Sequence, residues 1–119
     1  MLPTSHNQAY QEFLSLLQQL QRGCIHANEI NLASLQQQFQ TMQTYFEQRI
    51  VPLTNEELDE SIAPRWQSLQ TELRRELRLL TTDMIFLGSS RQPETKEARL
   101  SSIRDRLEKI NGYCQVMIA

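Results

Sequence analysis

Apolar side chains recur along this chain at steps of three and four residues, and the pattern returns in four separate stretches. In the first, Tyr10, Phe13, Leu17, Leu20 and Cys24 step 3, 4, 3, 4, and Leu14 widens the stripe. At 3.6 residues per turn this spacing places every member on one side of a helix. The helix starts after Pro3, where Thr4 or Ser5 can offer an acceptor oxygen to the free amides of the first turn. Gly23 marks fraying near its end, and HANEI at 26–30 forms the connection. The second stretch is capped by Asn31 and carries Leu32, Leu35, Phe39, Met42 and Phe46, extended by Ile50 and Leu53. Its other face is nearly all glutamine, Gln36, Gln37, Gln40 and Gln43, side chains that stay hydrated and lose little entropy on a helix. The regular apolar period argues against a prion-like tract, which would have none. Pro52 ends this helix, because the residue before a proline is pushed out of helical geometry.

Thr54 then opens TNEEL, a capping box with Glu57 three residues on, which predicts a short helix over 55–62. Pro64 is tolerated only near a helix start, so a break or bend is expected near Ala63. The third helix runs to about Leu87, a rod of roughly 36 Å. Ile62 begins its stripe, which continues through Trp66, Leu69, Leu73, Leu77, Leu80, Met84 and Leu87. Arg74, Arg75 and Arg78 fall on the outer face, partly offset by Glu72 and Glu76. Leu79 and Phe86, seven residues apart, lie about 100° from the main stripe and make a second, smaller apolar seam. Gly88 is expected to stop the helix just past its end. Pro93 and Glu94 open the fourth helix, where proline at the first position and an acidic group near the positive end of the dipole are favoured. Leu100, Ile103, Leu107, Ile110, Cys114 and Met117 follow at helical steps without a miss. Asp105 with Lys109, and Arg104 with Glu108, are spaced as i,i+4 pairs on its surface. Gly112 costs about 1 kcal/mol against alanine unless a close helix approach requires it.

Four amphipathic helices with short connections predict an all-α fold. The expected form is an up-down four-helix bundle, with a long third helix and a short helix before it. A chain of 119 residues is long enough for one core, and residues 1–119 read as a single helical-bundle domain. The longest apolar run, MIFL at 84–87, is far short of the roughly 20 residues that span a bilayer, so no membrane association is expected. The opening MLPTSHNQAYQEF lacks a basic stretch followed by an apolar core, which makes a secretory signal unexpected and a cytoplasmic location the reading. Cys24 and Cys114 fall on core stripes near opposite ends of the bundle, too far apart for a disulfide, and are read as buried thiols.

Net charge is −2, but it is unevenly spread. Residues 1–60 carry seven acidic side chains against two basic ones, and residues 61–119 carry ten basic against seven acidic. Such an asymmetry can steer an acidic partner to the second half, or simply reflect helices of different charge packed side by side.

Candidate chemistry is sparse. No glutamate has a histidine three residues later, as di-metal bundles require, and His6 and His26 read as solvated side chains rather than ligands. There is no Cys-x-x-Cys, phosphate loop or nucleophile elbow, so no metal or cofactor is expected. Small all-helical enzymes such as chorismate mutase clamp a dicarboxylate with buried arginines, which draws attention to Arg104 and Arg106. Both fall off the fourth stripe and are expected to face water, so the chain reads as a non-enzyme. Nucleic acid binding is disfavoured, because acidic residues dilute the arginine cluster and no aromatics are interleaved for base stacking.

What remains is a protein-binding surface. Leu79, Ile85 and Phe86 beside Arg75, Arg78 and Arg91, with Arg99 extending the basic rim, have the usual anatomy of such a site. Two alternatives stand beside it. The seam can be buried against another helix of the same bundle, or it can join two copies about a two-fold axis.

The stretch LRLLTTDMIFLGSSRQPETKEARLSSIRDRL (77–107), GYC (112–114) and the opening MLPTSHNQAYQEFLSLLQQL (1–20) resemble a small cyanobacterial family, the heterocyst frequency control protein PatD. Residues 25–65 are less distinctive. The resemblance implies a cytoplasmic, non-enzymatic regulator that binds the cell-division protein FtsZ and influences its polymerisation. Through that, it would affect how many cells of a filament become heterocysts. It carries over no individual binding residue.

Overall fold

Each of the four apolar stripes turns inward on a helix. The structure, a computed structural model, describes residues 2–25 and 31–118; the HANEI connection and His26 lie outside the described residues. Helix α1 spans Thr4–Gly23, α2 spans Leu32–Tyr45, α3 spans Ala63–Ser89 and α4 spans Pro93–Ile118. A π-helical turn, Phe46–Ile50, continues α2. There is no strand among the described residues.

Two contacts along each pair establish the up-down order. Gly23 near the end of α1 faces Leu35 near the start of α2, while Phe13 packs on Phe46 at 5.5 Å between ring centroids. Cys24 and Arg104 join the end of α1 to the first half of α4, and Gln21 bonds Asn111 further along. Asp83 meets Ser102, and Glu76 meets Lys109, so α3 and α4 are also antiparallel. Helix α4 therefore lies between α1 and α3, while α2 touches α3 only lightly. The result is a rod of 50 × 21 × 20 Å.

One buried polar network ties three helices at the end where α3 begins. The Trp66 Nε1 donates to the Tyr10 hydroxyl at 3.0 Å, and that hydroxyl donates to Gln70 Oε1. Gln70 in turn donates through Nε2 to the Ile50 carbonyl at 3.3 Å, at the end of the widened π turn. Tyr10 is fully buried, and burial pushes its phenol above its ordinary pKa. The chain of bonds satisfies groups that the interior would otherwise strand.

Several expectations are corrected. The 55–62 segment is not a helix: it forms turns, closed by Leu58 N–H to Asn55 C=O and Ile62 N–H to Asp59 C=O. Only Leu58 of its outer residues is buried, too little apolar surface to hold so short a helix. His6 is not solvated. It is buried against Trp66, and its Nε2 donates to the Thr54 carbonyl at 2.9 Å. Neither Thr4 nor Ser5 caps α1, because Pro3 occupies the cap position without a side-chain bond. Gly88 does not end α3 either, since the helix runs to Ser89 and no glycine has positive φ. The hydroxyls of Ser89 and Ser90 instead donate to the Phe86 carbonyl. Gly88 is suited to close approach, for a Cβ there would meet Gln36 of α2 at 3.0 Å. Gly112 has open space beside it, so no close approach requires it.

Both cysteines are free and fully buried. Burial pushes Cys24 up to about 11 and Cys114 up to about 12, which leaves them almost wholly protonated at neutral pH and poor nucleophiles.

The Tyr10 hydroxyl is the hub of the polar network. Tyr10→Phe is expected to cost about 1–3 kcal/mol in urea unfolding, because Trp66 and Gln70 would each be left with an unsatisfied buried group. Unchanged stability would show that the network contributes nothing.

Candidate functional site

Helix α3 presents three faces, and each has a different task. The main stripe fills the core, with Leu73 and Leu80 fully buried. A second face, turned to α4, carries Glu76 and Asp83, which are only 2% and 5% exposed. They sit seven residues apart, about two turns along the same side. Arg106 of α4 spans them, with Nε donating to Asp83 at 2.7 Å and a terminal nitrogen donating to Glu76 at 3.0 Å. Lys109 approaches Glu76 at 3.9 Å and Ser102 donates to Asp83 at 3.4 Å.

Arg106 thus overturns the expectation that it faces water. Burial works against its charge, but the hydrogen bonds and charges of Asp83 and Glu76 outweigh that and hold its pKa above the ordinary value. Neither expected surface pair, Asp105 with Lys109 or Arg104 with Glu108, forms among the described residues. Lys109 turns to Glu76, and Arg104 bonds Glu97 at 2.7 Å and the Cys24 carbonyl at 3.1 Å. Two carboxylates seven apart, flanking an apolar stripe, were the signal that a basic partner had to come from the facing helix.

The third face of α3 is the outer one. Leu79 is 37% exposed, Ile85 66% and Phe86 45%, so no helix of the bundle covers this seam. Leu79 and Phe86 lie on one line, about 10 Å apart along the axis, with Ile85 about 100° round from Phe86. Arg99 of α4 reaches back over the Phe86 ring at 4.5 Å, a cation–π contact that brings the two helices' candidate residues together. Arg75 bonds Glu72 at 3.3 Å on the exposed surface. Arg78 and Arg91 are exposed and form no ion pair among the described residues. The corner of α3 and α4 therefore carries three exposed apolar side chains and four arginines, with Glu72, Glu94 and Glu97 as nearby acidic groups on the same helices, Glu97 being paired with Arg104.

Three other concave places, of about 400, 410 and 580 Å³, are open grooves lined mainly by polar side chains, without the apolar lining typical of small-molecule sites. A cleft of about 150 Å³ at the opposite end lies among Leu2, Ile62, Trp66, Leu69 and Met117, with Arg65 at its rim. That is below the roughly 300 Å³ where pockets for small molecules begin. Among the described residues no group of three or more His, Cys, Asp or Glu is placed to hold a metal ion. No described helix is long and apolar enough to cross a membrane.

The fold and this corner define an all-α four-helix bundle with a basic-rimmed apolar face. The chain matches no family model, no curated protein and no solved structure.

Arg106 distinguishes the inward face of α3 from the outward one. Arg106→Met is expected to cost about 2–4 kcal/mol in urea unfolding, somewhat less than a fully buried pair because part of the guanidinium still reaches water. Arg75→Met, at an exposed pair, should change stability by no more than about 0.5 kcal/mol. Equal losses for the two would contradict the assignment.

Proposed function

We propose that this chain is a non-enzymatic, cytoplasmic protein-binding module that resembles PatD. It binds FtsZ, modulates its polymerisation and so influences heterocyst frequency. The observation that carries a binding role is the exposed Leu79–Ile85–Phe86 face, rimmed by Arg75, Arg78, Arg91 and Arg99. An acidic, partly apolar segment of the partner complements both parts: charge speeds encounter, and Phe86 with Leu79 supplies buried area. The link to FtsZ comes from the resemblance of residues 1–20, 77–107 and 112–114.

A non-enzymatic reading is supported by the state of the arginines that invited comparison with a dicarboxylate clamp. Arg106 is taken up by Glu76 and Asp83, and Arg104 by Glu97 and the Cys24 carbonyl. Both guanidinium groups are thus engaged by protein acceptors, although Arg104 still borders an open groove with Gln18, Arg22 and Asn111. A two-fold dimer through the same face is disfavoured, because it would set the arginine rim of one copy against that of another.

Purified FtsZ sedimented with and without this chain tests the reading. Co-pelleting and a changed polymer amount are expected at low salt, weakening as salt is raised. Phe86→Asp, with helicity retained by circular dichroism, should weaken binding about tenfold or more. No co-pelleting and no change in polymer would contradict it.

A further inference from the structure

The basic apolar face has a counterpart on the same chain. The turns that precede α3 present Glu56, Glu57, Asp59 and Glu60, all exposed and none in an ion pair among the described residues. Val51, 38% exposed, stands just before them. Arg49 and Arg65 flank this segment and reduce its negative charge without cancelling it. The acidic turns thus offer carboxylates beside an apolar side chain, and the α3–α4 corner offers arginines beside three.

The two cannot meet within one molecule. The acidic turns lead directly into Ala63, while Leu79 and Phe86 lie about 25 and 35 Å further along the straight run of α3. Complementarity that is out of reach within a chain can be satisfied only between chains. Because the two surfaces differ, each contact leaves one free basic face and one free acidic end. A contact of that kind does not close on itself unless its rotation happens to form a ring.

We propose that copies of this chain associate head to tail, with the acidic turns at 55–60 of one copy seated on the Leu79–Ile85–Phe86 face of the next. The contact spans a short turn segment and two helical turns, which places it among small, transient interfaces. Salt should weaken it strongly, since exposed charges carry much of the attraction. A consequence rests on the function proposed above: an acidic partner that uses the same face competes with the next copy for it.

Sedimentation velocity tests the polarity directly. From about 10 to about 500 μM protein in about 50 mM salt, the average mass should rise beyond that of a dimer, and it should return to the 14.0 kDa monomer in about 500 mM salt. Two variants block one surface each: Phe86→Asp on the basic face, and the triple change Glu56→Lys, Glu57→Lys, Glu60→Lys on the acidic turns. Each alone should remain monomeric, and an equimolar mixture should form a one-to-one dimer that grows no further. The glutamates make no hydrogen bond or ion pair among the described residues, so the triple variant is expected to fold, which circular dichroism checks. Wild type that stays monomeric throughout, or a mixture that does not pair, overturns the proposal. Growth of the triple variant like wild type overturns it as well. Binding of the triple variant to FtsZ separates this result from the function above, because that variant keeps its basic face. If FtsZ binds while self-association fails, only the head-to-tail contact is lost.

Discussion

The bidentate grip of Arg106 on Glu76 and Asp83 fixes how α3 lies against α4, and the outer corner of the molecule depends on it. A guanidinium can reach two carboxylates two turns apart in only one register of the helices. Slipping α4 by a turn would leave a buried carboxylate without its partner, at a cost of about 3–5 kcal/mol. Apolar stripes alone are more tolerant, since a row of leucines repacks over a similar row with modest loss. The ion cluster therefore supplies specificity of register where the hydrophobic contact supplies most of the burial. It also turns Glu76 and Asp83 inward, leaving Arg75 and Arg78 outside with Glu72 as their acidic neighbour on α3.

That division shapes the corner. With Glu76 and Asp83 consumed at the α3–α4 contact, the exposed line of α3 is apolar and basic, and Arg99 of α4 covers the Phe86 ring. At the other end, the Tyr10–Trp66–Gln70 network anchors the start of α3, and the turns before it carry carboxylates that form no ion pair among the described residues. The long helix thus separates unlike surfaces by most of its length. A basic, apolar face toward one end and exposed carboxylates toward the other give the rod a polarity.

The four stripes were legible because burial on one face imposes a 3.6-residue period directly on the residue types. Caps and polar contacts were harder to read. Thr54 and Glu57 have the spacing of a capping box, but Leu58 alone could not hold a helix there, and the Thr54 carbonyl went to His6 instead. Gly88 looks like a helix stop, yet the helix continues through it to Ser89 without a positive φ, and the tip of Gln36 from α2 lies beside it. Arg106 sits beside Leu107 and off the stripe, so periodicity sent it to water. Its inward turn depends on two carboxylates 23 and 30 positions away, which only the pairing of α3 with α4 brings into reach. Leu79, Ile85 and Phe86 were legible as a seam, while their exposure depended on which helices became neighbours: α4 and the weak approach of α2 leave that side of α3 open.

Central to this account is the claim that the outer face of α3 is where a partner docks. Methyl-labelled protein titrated with FtsZ held unpolymerised without nucleotide tests it most directly, because exposed methyl groups are spread over the surface at Ile25, Val51, Leu79, Ile85 and Val116. The account predicts that the Leu79 and Ile85 signals shift or broaden first, with Ile25 and Val116 unchanged. Perturbation confined to Ile25 or Val116, with Leu79 and Ile85 unmoved, would contradict it.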